Sequence, residues 1–188
     1  MDIEELNKEG DKSRKNYKYD EALQYYDNAL KIDPDYVPSL IGKGHTLRSL
    51  KRNNEALILL NKATEIDSES TKAWNNKGYI LRDLGRYVEA LKAFETSINI
   101  NSENAFSLNG KGLVLRNLKR YEEALKAFET SILVDPENAF SWNGKGLVCL
   151  SLHKYNEAIE AYDTSLQRTQ KMERLFLHGM VKVQLLRI

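Results

Sequence analysis

The stretch Asn109-Gly110-Lys111-Gly112-Leu113-Val114 recurs unchanged at residues 143–148. A lysine set between glycines is the chemistry of a phosphate cradle, provided that a strand leads into the loop and a helix N-terminus follows it. Other reactive side chains are sparse. His45, His153 and His178 are scattered, and the single cysteine, Cys149, has neither a disulfide partner nor a cluster of metal ligands. Cys149 also falls in a column with Leu47, Leu81 and Leu115, which is a place for a small core residue rather than a nucleophile. The carboxylates are spread along helix surfaces. No enzyme and no cofactor or metal site is expected from this set. Two series are more regular. Arg14, Arg48, Arg82 and Arg116 stand 34 residues apart, and Asn7, Asn75, Asn109 and Asn143 stand at multiples of the same step. Arginine offers a planar fork to carboxylate or phosphate, and an asparagine amide both donates and accepts.

The chain that carries these residues has 188 positions, 41% hydrophobic and 29% charged, with ten glycines and only three prolines. That balance suits a globular protein built of regular elements with short connections. Net charge is +1, so any basic surface must arise from arrangement rather than surplus. The opening MDIEELNKEG is too acidic for a secretory or mitochondrial signal, and no apolar run approaches a bilayer span. A cytoplasmic protein without a membrane partner is expected.

The 34-residue step runs through nearly the whole sequence. Gly10, Gly44, Gly78, Gly112 and Gly146 form one column; Ala22, Ala56, Ala90, Ala124 and Ala158 form a second. Tyr26, Leu60, Phe94, Phe128 and Tyr162 form a third. EALKAFETSI occurs at 89–98 and again at 123–132. Within each unit the apolar residues recur at helical intervals in two stretches. Trp74, Leu81 and Leu84 share a face with Gly78; then Tyr87, Ala90, Leu91, Phe94 and Ile98 form a second stripe. Acidic residues open the second stretch, as at Glu89, Glu122 and Glu123, and Asp33-Pro34 and Asp135-Pro136 close two of the units. No segment alternates as a strand would. The glycines of the repeated hexapeptide therefore sit inside helices, where a small residue lets two helices approach, and the phosphate reading fails for want of a strand and a loop.

These columns resemble the tetratricopeptide repeat (TPR), a 34-residue helix–turn–helix with large, small, Tyr, Ala, aromatic and Pro positions. Residues 105–138 match with Leu108, Gly112, Leu115, Tyr121, Ala124, Phe128 and Pro136. In residues 71–104 Ser102 replaces the proline, and lysines (Lys43, Lys77, Lys111, Lys145) stand where the family has leucine, reading as stems that snorkel at the edge of the packing. The resemblance implies an all-α, right-handed superhelix of five helix–turn–helix repeats: 3–36, cap-like at Ser13 and Asn16, then 37–70, 71–104, 105–138 and 139–172. Residues 173–188 read as a further helix, either a cap or the start of a truncated repeat.

The resemblance also implies a protein-binding scaffold whose first helices line a concave groove. Repeat positions 2, 5, 9 and 12 span about 80° of a first helix, at 100° per residue. They place Arg14, Arg48, Arg82, Arg116, Asn7, Asn75, Asn109 and Asn143 on that face, with His45, Tyr79, Leu113 and Leu147 at position 9 and Phe106 and Phe140 at position 2. The expected ligand is an extended, partly acidic peptide or protein segment with apolar anchors towards the later repeats. The lysine–asparagine–arginine clamp by which some family members hold a chaperone tail is not supported, because position 5 is Asn or Ile rather than Lys. Arginines near a helix C-terminus can equally serve the helix dipole, as can the turn residues Lys18, Arg52, Arg86, Arg120 and Lys154. Two alternatives are nucleic-acid binding, disfavoured by a pI near 7.8, and self-association through the apolar residues Leu185, Leu186 and Ile188 of the last segment.

Overall fold

The computed structural model describes the backbone of residues 1–185 and the side chains of residues 1–171. Among the described residues all regular structure is α-helical, as the spacing of apolar residues requires. The helices are α1 (Ile3–Lys15), α2 (Tyr19–Ile32), α3 (Val37–Ser49), α4 (Asn53–Ile66), α5 (Thr71–Asp83), α6 (Tyr87–Ile100), α7 (Ala105–Asn117), α8 (Tyr121–Val134), α9 (Ala139–Ser151) and α10 (Tyr155–Leu185). They fall into two compact units, Met1–Ser102 and Glu103–Ile188. In each unit, consecutive helices pack pairwise and each first helix also touches the first helix of the next repeat.

The turn inside each repeat has one geometry. Residues Tyr17, Lys51, Gly85, Lys119 and His153 all adopt left-handed φ values between 59° and 74°. The residue after each one donates its N–H back to the carbonyl five residues earlier, as from Lys18 to Ser13 and from Arg120 to Leu115, both at 2.9 Å. This pattern terminates a helix by satisfying its last carbonyls. Only Gly85 is a glycine, so four of these turns hold a side chain where glycine is the easier choice. The basic residue that follows is not idle: Lys18, Arg52, Arg86, Arg120 and Lys154 each pair with the glutamate three residues on, in the first turn of the second helix. That column belongs to the turns.

The small column is explained by rings. A Cβ on Gly112 would lie 2.8 Å from the Phe128 ring, and one on Gly146 would lie 2.8 Å from the Tyr162 ring. Gly10 and Gly78 stand in the same relation to Tyr26 and Phe94. The other glycine of the repeated hexapeptide has its own task. Gly144 meets Phe128 of the preceding repeat, and Gly42 meets Tyr26 in the same way. Thus Phe128 is held between Gly112 of its own repeat and Gly144 of the next, and is 1% exposed. The lysine between the glycines reaches back as well. Lys43 pairs with Asp27 and Lys145 with Glu129, each carboxylate lying on the second helix of the preceding repeat. Lys77 lies over the Trp74 ring at 4.8 Å and donates to the Thr64 hydroxyl. These side chains tie successive repeats together instead of merely snorkelling.

The last segment departs from expectation in one respect. No break separates residues 173–185 from what precedes them, because α10 runs unbroken for 31 residues where the other second helices have 14. The side chains expected to mediate self-association, including Leu185, Leu186 and Ile188, lie outside the described residues.

Candidate functional site

In the unit Met1–Ser102, two polar knots occupy the first-helix face. The first joins α1, α2 and α3. Arg14, in the last turn of α1, donates through Nη2 to Asp11 at 3.2 Å and through Nε to the Tyr26 hydroxyl at 3.4 Å. Tyr26 in turn donates to Asp11 at 2.7 Å. Burial and the hydrogen bond to Asp11 both push the Tyr26 phenol well above its usual range, so it stays a donor. The Arg14 Nη1 lies 2.9 Å from Nδ1 of His45. A guanidinium can only donate, so Nδ1 accepts and the ring proton resides on Nε2. Burial, then the charges of Arg14 and Arg48, bring the His45 pKa down to about 4, with Asp11 opposing. Asn7 takes the Ser39 hydroxyl at 3.0 Å, a further tie from α1 to α3.

The second knot joins α3 and α5. Tyr79 is gripped on its ring by Arg48 and Arg82, whose guanidinium carbons lie 5.1 and 5.2 Å from the ring centroid. Asp83 accepts from both arginines, at 2.6 Å from Arg48 Nε and 2.8 Å from Arg82 Nη2. Burial would raise its pKa, but these hydrogen bonds outweigh burial and hold the carboxyl below the usual range. Phe94 meets the Tyr79 ring edge-on at 5.0 Å. Arg14, Arg48 and Arg82 are therefore committed to partners inside their own unit.

In the unit Glu103–Ile188 the same face has a different composition. Arg116 closes α7, half-buried, and the acids that occupy its counterparts are missing: repeat positions 9 and 13 are Leu113 and Asn117 here, against Asp11 and Asp83 in the other unit. Among the described residues Arg116 makes no hydrogen bond or ion pair. One turn or more earlier on α7, Asn109 is buried, with an unpaired side-chain carbonyl oxygen. Phe106 and Phe140, at the starts of α7 and α9, are 66% and 77% exposed. Leu113 and Leu147 are half-buried between these ends, and Asn143 is exposed. Buried Asn75 and exposed Asn143 show that the asparagine column is not a uniform row.

Three sequence models of the tetratricopeptide repeat match the chain, at residues 14–77, 69–132 and 109–173. The chain belongs to the tetratricopeptide repeat family. Solved structures agree on the fold. A thermophilic TPR protein of Thermus thermophilus, TTC0263, is 18% identical, with 97% of this chain and 99% of that one covered and a TM-score of 0.81. MamA is 25% identical over 88% of this chain and 96% of its own, with a TM-score of 0.72. YrrB is 22% identical over 93% of this chain and 90% of its own, with a TM-score of 0.64. No curated protein matches the chain in sequence.

Within this TPR array, the sequence columns place the arginines on the right helices but do not tell which have partners. Asp83 is the residue that the columns miss, although an acid next to Arg82 in the sequence is a readable signal. His153 is a turn residue, bonded to the Tyr155 hydroxyl at 2.9 Å. Cys149 is fully buried, and burial raises its thiol pKa, the opposite of what a nucleophile needs. Among the described residues no group of three or more His, Cys, Asp or Glu could hold a metal, and no helix is long and apolar enough to cross a membrane.

Proposed function

We propose that this TPR protein is an interaction scaffold that receives an extended, partly acidic peptide or protein segment on its first-helix faces, α1, α3 and α5 in one unit and α7 and α9 in the other. The observation that carries the reading is the pair Phe106 and Phe140, large aromatic side chains left mostly in water on the same face as the cation Arg116. An exposed apolar group rimmed by polar residues is the composition of a binding surface, and aromatic and arginine side chains are those that dominate interfaces. YrrB, which shares the fold, is a TPR protein with an unusual peptide-binding site, and scaffolding is the ordinary role of the family. The family fold and the buried Cys149 thiol both weigh against catalysis.

The test is selection of random displayed peptides on the intact protein, followed by titration of a synthetic selected peptide. Binding should weaken on raising the salt, and Phe140→Ala should cost at least about tenfold in affinity, as for a central aromatic anchor. Failure to enrich any peptide, or equal affinity for the wild type and a Phe106→Ala/Phe140→Ala variant, would refute the proposal.

A further inference from the structure

The four serial arginines share a column, yet among the described residues three of them hold an internal carboxylate and Arg116 does not. In the unit Met1–Ser102, Arg14 holds Asp11, Tyr26 and His45, while Arg48 and Arg82 share Asp83 and flank Tyr79. A ligand carboxylate arriving there must displace an internal one. In the unit Glu103–Ile188 the internal acid has been replaced by Leu113 and Asn117, and Arg116, near the Tyr162 phenol, has no hydrogen bond or ion pair among the described residues. A half-buried guanidinium that no carboxylate among the described residues satisfies is a site for one brought by another molecule.

A second, independent feature lies on the same helix. Asn109 is 5% exposed and its carbonyl oxygen has no donor. A buried acceptor normally has a partner, and each exception needs a reason. Arg116 lies seven residues later, two helical turns and on the same face. The Asn109 oxygen is sealed within the packing, whereas Arg116 is only half-buried, and the partner it lacks is a carboxylate. An extended peptide with an acidic side chain supplies that carboxylate.

We infer that the acidic determinant of the ligand is read in the unit Glu103–Ile188 alone, by Arg116, with Phe106 or Phe140 taking an apolar side chain. This rests on the proposed scaffold role and narrows it from four arginines to one. It also sets a spacing. Phe106 and Arg116 are ten residues apart on α7, about 15 Å along the axis, which an extended chain covers in roughly four to five residues. The recognised pattern is an aromatic or aliphatic residue and an Asp or Glu about four residues apart.

The experiment uses the same displayed library and intact protein, with one selected peptide synthesised with its acid intact and with that acid replaced by alanine. Arg116→Gln should weaken the acidic peptide by about ten- to a hundredfold, the range for a charge-assisted hydrogen bond, and leave the alanine peptide unchanged. Arg120→Gln, which removes the same charge from a turn residue of the same unit, should leave both peptides unchanged. Selected peptides without a common acid, or equal losses in the two variants, would overturn the assignment of Arg116 while the scaffold role stands. If the library yields no peptide at all, both fall.

Discussion

Arg14, Arg48, Arg82 and Arg116 are the same residue in the same column, and their neighbours decide what each can do. An aspartate at repeat position 9 or 13 turns the guanidinium inward, as Asp11 and Asp83 do. Where Leu113 and Asn117 take those places, no carboxylate among the described residues pairs with it. The inward arrangement carries a pH dependence through His45. Its folded pKa is about 4, against an ordinary 6.5. Between those values the unfolded chain binds the proton and the folded chain does not, so stability rises with pH across this window and is lost as pH falls from about 6.5 towards 4. The full shift would correspond to about 3.4 kcal/mol, and solvent at this half-buried site reduces the expected loss to about 2 kcal/mol. Urea unfolding at pH 7 and pH 4.5 should show it. His45→Gln, which keeps an acceptor for Arg14 but no titration, should flatten the profile by that amount. A variant as acid-sensitive as the wild type would show that other groups govern this range.

For the helices, the governing constraint is the ring at repeat position 24 and the two glycines that receive it. Gly144→Ala puts a methyl against the fully buried Phe128 ring from the next repeat. Overpacking costs about 1–3 kcal/mol, against the roughly 1 kcal/mol by which alanine favours a helix, so a net loss of up to about 2 kcal/mol is expected from urea unfolding. The sequence already holds the compensating combination: Leu60 at the ring position is followed by Asn76, not glycine, at the place of Gly144. In a Phe128→Leu background, Gly144→Ala should therefore become neutral or stabilising. Additive losses would mean that the ring is not the constraint. The helices and their pairing were legible in the sequence because apolar period and repeat period agree at every column. The left-handed turn residues were not, since Tyr17, Lys51, Lys119 and His153 carry no glycine signature. Nor were the lysine ties, because Lys43 and Lys145 find Asp27 and Glu129 in the preceding repeat, and spacing within one repeat cannot show a partner in another. The candidate site was legible only by column. Which arginines hold an internal acid depends on contacts such as Arg48 with Asp83, 35 residues apart.

Taken over the molecule, a net charge of +1 conceals extensive local pairing, and within each unit a repeat is bound chiefly to its neighbours. Stability in such an array is a sum of repeat and interface contributions rather than that of one indivisible core. Within the unit Met1–Ser102 the consequences are directional. α3 packs against α2 and α4 and touches α1 and α5, whereas α1 packs only against α2 and α3 and turns Glu4, Glu5, Lys8 and Lys12 to water. That polar edge suits an end of the stack, but Leu6 is the one large apolar side chain that α1 buries. Its ties to α3 are polar ones, Asn7 to Ser39 and Arg14 to His45. Native-state hydrogen exchange should therefore find the amides of α1 opening at lower free energy than those of α3 and α4. Asn7→Ala removes one tie worth about 1 kcal/mol and should speed exchange in α1 about fivefold. The same substitution should leave α5 and α6 unchanged, because no interaction of Asn7 extends beyond α3. Equal acceleration from α1 to α6 would mean that the unit opens as one block, and the additive picture would then be wrong for this protein.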